Sequence, residues 1–355
     1  MSCWDLVPGA DNPRNSEGAF LPAGDQTLLF AYSAFRGDSC ADHACAEIRL
    51  IRSSDGGRTW SRPVSVDRPE AYGAMNLMSV SLLRMKNGDI GLFYLVRMDW
   101  LDMYVVLRRS GDQGKTWSAP LRCTRRKGYY VINNDRVFRT SSGRIILPVA
   151  EHENRVDEGG RLYFAPAKAV FFWSDDDGQT WREAPEKLSL DLPACRSGLQ
   201  EPGVIETAPG CLYGWARTDL GRQYAFTSAA DGVHWTPAQP SRFTSPLSPL
   251  SMKALADGRF VAVWNPVPAN NLQPVNRLTG NRTPLVCAVS PDRGQTWSDP
   301  VILEDDSSRG YCYTAILQLE DRLLLAYCAG GEEDGGCLNR LRIRSLPLDS
   351  VSPNA

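Results

Sequence analysis

A closed all-β ring, a propeller of six four-stranded antiparallel blades, is the fold this sequence predicts, and two repeats predict it. The first is an eight-residue phrase, Ser-x-Asp-x-Gly-x-Thr-Trp, at residues 53–60, 110–117, 174–181 and 290–297, with a worn copy at 228–235. Its tryptophans, Trp60, Trp117, Trp181, Trp235 and Trp297, lie 57, 64, 54 and 62 residues apart, close to the length of one four-stranded unit. The second repeat is a tight turn between β-branched and aromatic runs, at 22–25, 86–89, 141–144, 208–211, 256–259 and 319–322. Six turns give six blades. Five have the phrase on their outer hairpin; the last, ending in the run 338–344, lacks it because the termini close the ring there.

Each phrase reads as a hairpin loop in which the Asp carboxylate and the Ser and Thr hydroxyls bond nearby amides, Gly supplies a left-handed turn, and Trp covers neighbouring strands. A chain of 355 residues often divides, but a closed β ring is the exception, so one domain over 1–355 is expected. The hydrophobic share of 43% is ample for a core, and no apolar run approaches the ~20 residues of a membrane span. The opening residues lack a basic and then apolar leader, which predicts a cytoplasmic protein. Ten cysteines without a Cys-x-x-Cys pair read as free, buried thiols. A net charge of −2 offers no footprint for nucleic acid or an anionic membrane, and three scattered histidines argue against zinc or Ser-His chemistry. No metal or cofactor is implied, and nothing indicates the oligomeric state.

If the strands of each blade alternate in direction, the tight turns and the phrases share one rim. The opposite rim should then contain the pocket, since its loops hold polar residues that a core does not use. Along that rim lie Arg14, Asp42 and His43, then Asn76, Arg97 and Asp99, then Asn133, Asn134, Asp135 and His152. Gln200, Glu201, Arg217 and Asp219 follow, and Lys253, Arg282, Tyr311 and Tyr313 complete the circuit.

The phrase resembles the Asp-box of the sialidase superfamily, and the resemblance extends to this rim. Members of that superfamily hold a substrate carboxylate with three arginines, use a tyrosine nucleophile assisted by a glutamate, and protonate the leaving oxygen from an aspartate in the first blade. By that resemblance Arg14, Arg217 and Arg282 are the carboxylate clamp, Tyr313 the nucleophile, Glu201 its base and Asp42 the acid and base. His43, Asn76, Asp135 and Tyr311 are further candidates for substrate contact, while Asp38 and Tyr311 stay open as alternatives to Asp42 and Tyr313. One departure stands out: the superfamily's Arg-Ile-Pro is here Arg14-Asn15-Ser16, and Glu17 follows it with a negative charge.

The chemistry accounts for these residue types. A nonulosonic acid bears a carboxylate on its anomeric carbon, which planar guanidinium forks hold in a dry site. A carboxylate nucleophile would be repelled by it, whereas a neutral tyrosine is not, and the expected outcome is hydrolysis with retention. Three functions remain open on sequence: an exo-glycosidase acting on sialic acid or a related nonulosonic acid, a propeller enzyme acting on uronic-acid glycans by hydrolysis or elimination, and a non-catalytic glycan-binding propeller.

Overall fold

In four of the five phrases the Asp carboxylate organises its own loop. Asp55 Oδ1 accepts the amides of Arg58 and Thr59, both at 2.9 Å, and its Oδ2 accepts the Thr59 hydroxyl. The Ser53 hydroxyl donates to Asp55 and accepts the Gly57 amide, each at 2.7 Å. Asp112, Asp176 and Asp292 repeat the arrangement. Gly57, Gly114, Gly178, Gly232 and Gly294 all have φ between 76° and 97°, the left-handed region that glycine enters without a Cβ clash. In the worn copy Ala230 replaces the carboxylate; the Gly232 amide still bonds Ser228 Oγ at 3.0 Å, and Asp231 instead accepts Ser142 Oγ from the adjacent sheet at 2.7 Å.

The computed structural model describes residues 2–272 and 276–351. The chain forms antiparallel sheets in sequence order. Four-stranded sheets are built from Asn15–Pro22, Leu28–Phe35, Ala46–Ser53 and Val64–Asp67; from Gln200–Ala208, Cys211–Arg217, Arg222–Ser228 and Gln239–Thr244; and from Ser251–Ala254, Phe260–Trp264, Leu285–Ser290 and Val301–Glu304. The fourth such sheet orders Cys312–Gln318, Arg322–Cys328 and Leu341–Pro347 and takes the N-terminal strand Ser2–Leu6 as its outer member, with Trp4 opposite Ile343. Residues 76–183 supply a nine-stranded sheet whose two halves meet in one parallel pair, Tyr129 with Met103.

Hydrogen bonds on the turn rim run from each unit to the next. Arg84 reaches Pro22 O, the Lys86 amide reaches Asp177, Ser142 reaches Asp231, Arg293 reaches Thr207 O, the Ala256 amide reaches Gln318, and Arg322 returns to Gly56 O. Tight turns and phrases therefore occupy one rim. Between the units lies the core. Trp235 stacks at 3.9 Å on Phe171 of the preceding unit, Trp181 meets Phe93 and Trp297 meets Phe243 edge-on, and Trp60 packs near Trp4 of the closing sheet. Aromatic pairs of this kind add to the burial free energy of rings that are already the largest apolar surfaces in the chain. All ten cysteines are free thiols.

Candidate active site

Four innermost strands are interrupted at corresponding places. Pairing with the second strand skips between Ser16 and Ala19, Met78 and Ser81, Gln200 and Gly203, and Cys312 and Ala315. Within each break one non-glycine residue has a left-handed backbone: Glu17 at φ 57°, Ser79 at 60°, Glu201 at 48° and Tyr313 at 59°. Such a conformation costs about 1–3 kcal/mol and persists only where the surroundings enforce it. Bulges re-aim side chains, and here they bring residues of different sheets together. Ser79 Oγ donates to Glu17 Oε2 at 2.8 Å, and Tyr313 Oη donates to Glu201 Oε1 at 3.1 Å. Two glycines make room for the turns: a Cβ on Gly18 would lie 2.2 Å from the Phe30 ring, and one on Gly203 would lie 2.3 Å from the Trp215 ring.

Tyr313 is the centre of the cluster. Its phenol accepts Arg217 Nη1 at 3.1 Å while donating to Glu201, and Arg217 Nη1 also lies 3.2 Å from Glu201 Oε2. Gln200 orients Arg217 through Nε at 3.0 Å, and the Arg282 guanidinium lies 5.3 Å from the centre of the Tyr313 ring. Burial pushes the phenol well above its ordinary range; Arg217 and Arg282 offset this only in part, because Glu201 and Glu17 push it the same way. Tyr313 is therefore a neutral phenol whose proton already points at a carboxylate. Asn134 fixes the backbone beneath it, bonding Tyr313 O at 3.1 Å and Gly18 O at 2.7 Å.

Beside this cluster Arg14 is almost saturated. Its Nη2 pairs with Glu17 at 3.1 Å, its Nη1 with Asp42 at 2.5 Å, its Nε bonds Ser16 Oγ at 3.0 Å, and Phe35 lies beneath the guanidinium at 4.3 Å. Glu17 is fully buried. Desolvation raises its carboxyl to about 6 against the pull of Arg14, with Asp42 and Glu201 adding repulsion. Desolvation also acts on Asp42, but the charge and hydrogen bond of Arg14, with Arg97 and Arg282 beyond, outweigh it and hold that carboxyl below its usual range. Arg282 contrasts with Arg14: it meets Cys312 Sγ at 3.0 Å, and among the described residues it has no carboxylate within 4.0 Å.

The other sequence candidates are placed as follows. Asn76 supports the Asp42 loop, bonding Asp42 O at 2.7 Å and Ala44 O at 3.1 Å. His43 is exposed and packs against Trp100 at 5.3 Å. Asp135 is engaged by Lys253 Nζ at 2.8 Å and by the Ile316 amide at 3.2 Å. Tyr311 does not join the cluster: it is fully buried, its ring lies 6.2 Å from Tyr327, and it belongs to the apolar core between the last two sheets. The bulge that turns Tyr313 inward begins after Tyr311, so the two tyrosines face different surroundings. Asp38 is exposed and makes no contact with Arg14.

Sequence reasoning missed Ser79, Gln200 as a support for Arg217, and Arg136. Arg136 is buried over the Trp215 ring, bonds Leu250 O at 2.6 Å, and is drawn down to about 10 by burial despite the charges of Glu201 and Asp135. Its only sequence signal was adjacency to Asp135.

The fold and this cluster define an all-β, propeller-like repeat protein whose inner bulges gather a phenol, carboxylates and arginines at one rim. The chain belongs to the BNR repeat-like domain family, whose model matches residues 31–325, and so to the sialidase superfamily. A sialidase of Bacteroides fragilis is 25% identical over 336 residues, covering 83% of this chain and 56% of that protein. The chain thus spans little more than half the length of that curated relative. A protein of unknown function from Dyadobacter fermentans superposes with a TM-score of 0.73 at 16% identity, covering 98% of both chains. The NanB sialidase of Streptococcus pneumoniae superposes with a TM-score of 0.71 at 13% identity, covering 99% of this chain and 71% of that one.

Proposed function

We propose that this protein is a retaining exo-glycosidase that removes a terminal sialic acid or a related nonulosonic acid. The observation that carries the reading is the Tyr313 phenol, held 3.1 Å from both the Glu201 carboxylate and the Arg217 guanidinium with Arg282 alongside. It supplies a neutral nucleophile, a base for its proton and a cationic seat for the substrate carboxylate in one place. The reading takes residues 1–355 as one domain and the tryptophan phrases as Asp-boxes. Dividing the nine-stranded sheet at its single parallel pair then gives six blades.

The steps follow from the contacts. The substrate carboxylate binds Arg217 and Arg282 and competes with Asp42 for Arg14, which releases Asp42 and raises its pKa toward that of a proton donor. Glu201 takes the phenol proton as Tyr313 Oη bonds to the anomeric carbon, and the glycosidic bond breaks as Asp42 protonates the leaving oxygen. Asp42 then deprotonates water, the water attacks the anomeric carbon, and Tyr313 leaves with the proton returned by Glu201. Two inversions give net retention. Asp42→Ala should accordingly slow substrates with poor leaving groups far more than activated aryl glycosides, which scarcely need a proton.

A panel of aryl glycosides tests the assignment: N-acetylneuraminic, deaminated and diamino nonulosonic acids, and glucuronic acid. Turnover of nonulosonic glycosides alone supports it. Activity confined to the uronide would make this a uronic-acid enzyme, and binding without turnover would make it a glycan-binding propeller.

A further inference from the structure

Arg97, at the end of the strand Ile90–Arg97, is buried at 6% exposure yet makes no ion pair among the described residues. Among the described residues no carboxylate lies within 4.0 Å of it, whereas Arg14 has two and Arg217 has one. Among the described residues only one of its five N–H groups meets an ordinary acceptor, Asp42 O at 2.5 Å. Nε faces Met103 Sδ at 3.5 Å and Nη2 faces Met78 Sδ at 3.8 Å, and thioethers are weak acceptors. The acids around it are hydrogen-bonded elsewhere: Asp42, whose carboxylate Arg97 meets only by charge, to Arg14, Asp99 to the amides of Leu101 and Asp102, and Asp102 to Arg122. A buried cation that makes no ion pair is costly, and a fold that keeps one beside the candidate active site is prepared for an anion.

The surroundings fit a ligand. Trp100 and Tyr129 each lie 5.8 Å from the guanidinium, and Trp100 continues outward to His43 at 5.3 Å and Phe164 at 5.8 Å. Phe164 is 60% exposed, so this aromatic wall opens to solvent. Asp42 lies between the two arginines: its carboxylate is on Arg14 and its carbonyl is on Arg97.

We infer that Arg97, walled by Trp100 and Tyr129, is a second oxyanion subsite, and that the preferred substrate is dianionic. This rests on the reading that Arg217 and Arg282 receive the first carboxylate. The second group is a carboxylate or sulfate ester next to the scissile bond, either on the same sugar or on the residue it is linked to.

The test compares kcat/KM for a nonulosonic acid linked to lactose, for a disaccharide of two nonulosonic acids, and for a sulfated aryl nonulosonide. At least one dianionic substrate should exceed the monoanionic one by about tenfold, as a charge-assisted contact predicts, and Arg97→Met should erase that ratio, whatever it does to the monoanionic rate through the Asp42 loop that Arg97 also holds. Arg97→Lys should keep part of it. Which dianionic substrate responds distinguishes a ring substituent from the neighbouring sugar. Should Arg97→Met fail to fold, a wild-type ratio below about twofold overturns the inference by itself. Calorimetric titration with sodium sulfate separates this inference from the glycosidase reading. In the Arg217→Met background, sulfate binding that disappears on adding Arg97→Met supports the subsite even if no glycoside is turned over. Unchanged binding overturns it.

Discussion

On the turn rim, Asp55 bonds Ser53, Arg58 and Thr59, all within four residues of itself. On the opposite rim, Tyr313 bonds Glu201, 112 positions away, and Asn134, 179 positions away. The carboxylate network of each phrase is complete inside its own hairpin, whereas the Tyr313 cluster is complete only when the sheets have met. Loops of the first kind form locally and hold units together through their tryptophans. The Tyr313 cluster is instead a property of the assembled sheets, and its left-handed bulges are strain that only the assembled sheets enforce. Damage to one rim should therefore appear as lost stability, and damage to the other as lost chemistry.

The largest effect should come from Tyr313→Phe. Removing one oxygen leaves the Glu201–Arg217 pair in place, so kcat should fall by at least about a thousandfold, roughly 4 kcal/mol, with product affinity nearly intact. Steady-state kinetics alongside product titration checks both halves. Trp235→Ala attacks the other rim: it strips the ring stacked on Phe171 and should lower the unfolding free energy in urea by about 3–5 kcal/mol. Folded Trp235→Ala protein should turn over substrate normally, and a catalytic defect there would break the division between the rims. Arg217→Ala should weaken kcat/KM by about 2–4 kcal/mol, with lysine a poor replacement because it lacks the planar fork.

The smallest effect concerns Glu17, whose carboxyl is raised to about 6 from an ordinary 4.5. Because the folded state favours the protonated form, its contribution to stability is complete below pH 4.5 and is lost as the pH rises through about 6. Glu17→Gln should remove that decline, worth up to roughly 2 kcal/mol, from the stability profile. It should also flatten any rise of KM across the same window, since neutral Glu17 releases Arg14 for the substrate carboxylate. A stability profile that Glu17→Gln leaves unchanged would mean that the Arg14 pair, and not burial, governs this carboxyl.

What the sequence made legible follows the same division. The phrases were readable because their chemistry lies in eight contiguous residues, down to the copy whose Ala230 loses the carboxylate network. Strand alternation was enough to put Arg14, Asp42, Glu201, Arg217, Arg282 and Tyr313 on one rim, where the structure brings them together. The bulges were not readable. Glu17 and Glu201 are both glutamates, but Ser79 and Tyr313 are not and the four have no common neighbour, so nothing in the chain announces a left-handed backbone at those positions. For the same reason Tyr311 could not be told from Tyr313, nor could Arg14 be seen to be occupied by Glu17 and Asp42. Arg97 was visible as a rim residue, but that it makes no ion pair among the described residues is a three-dimensional fact.

The most direct test of the central claim is covalent trapping. Incubating the protein with a mechanism-based difluoro nonulosonic sugar and mapping the adduct by peptide mass spectrometry should place one label on Tyr313, formed slowly in Glu201→Gln and absent from Tyr313→Phe. A label on Glu201, Asp42 or Tyr311, or full turnover with no adduct in any variant, would contradict a tyrosine nucleophile at this pocket.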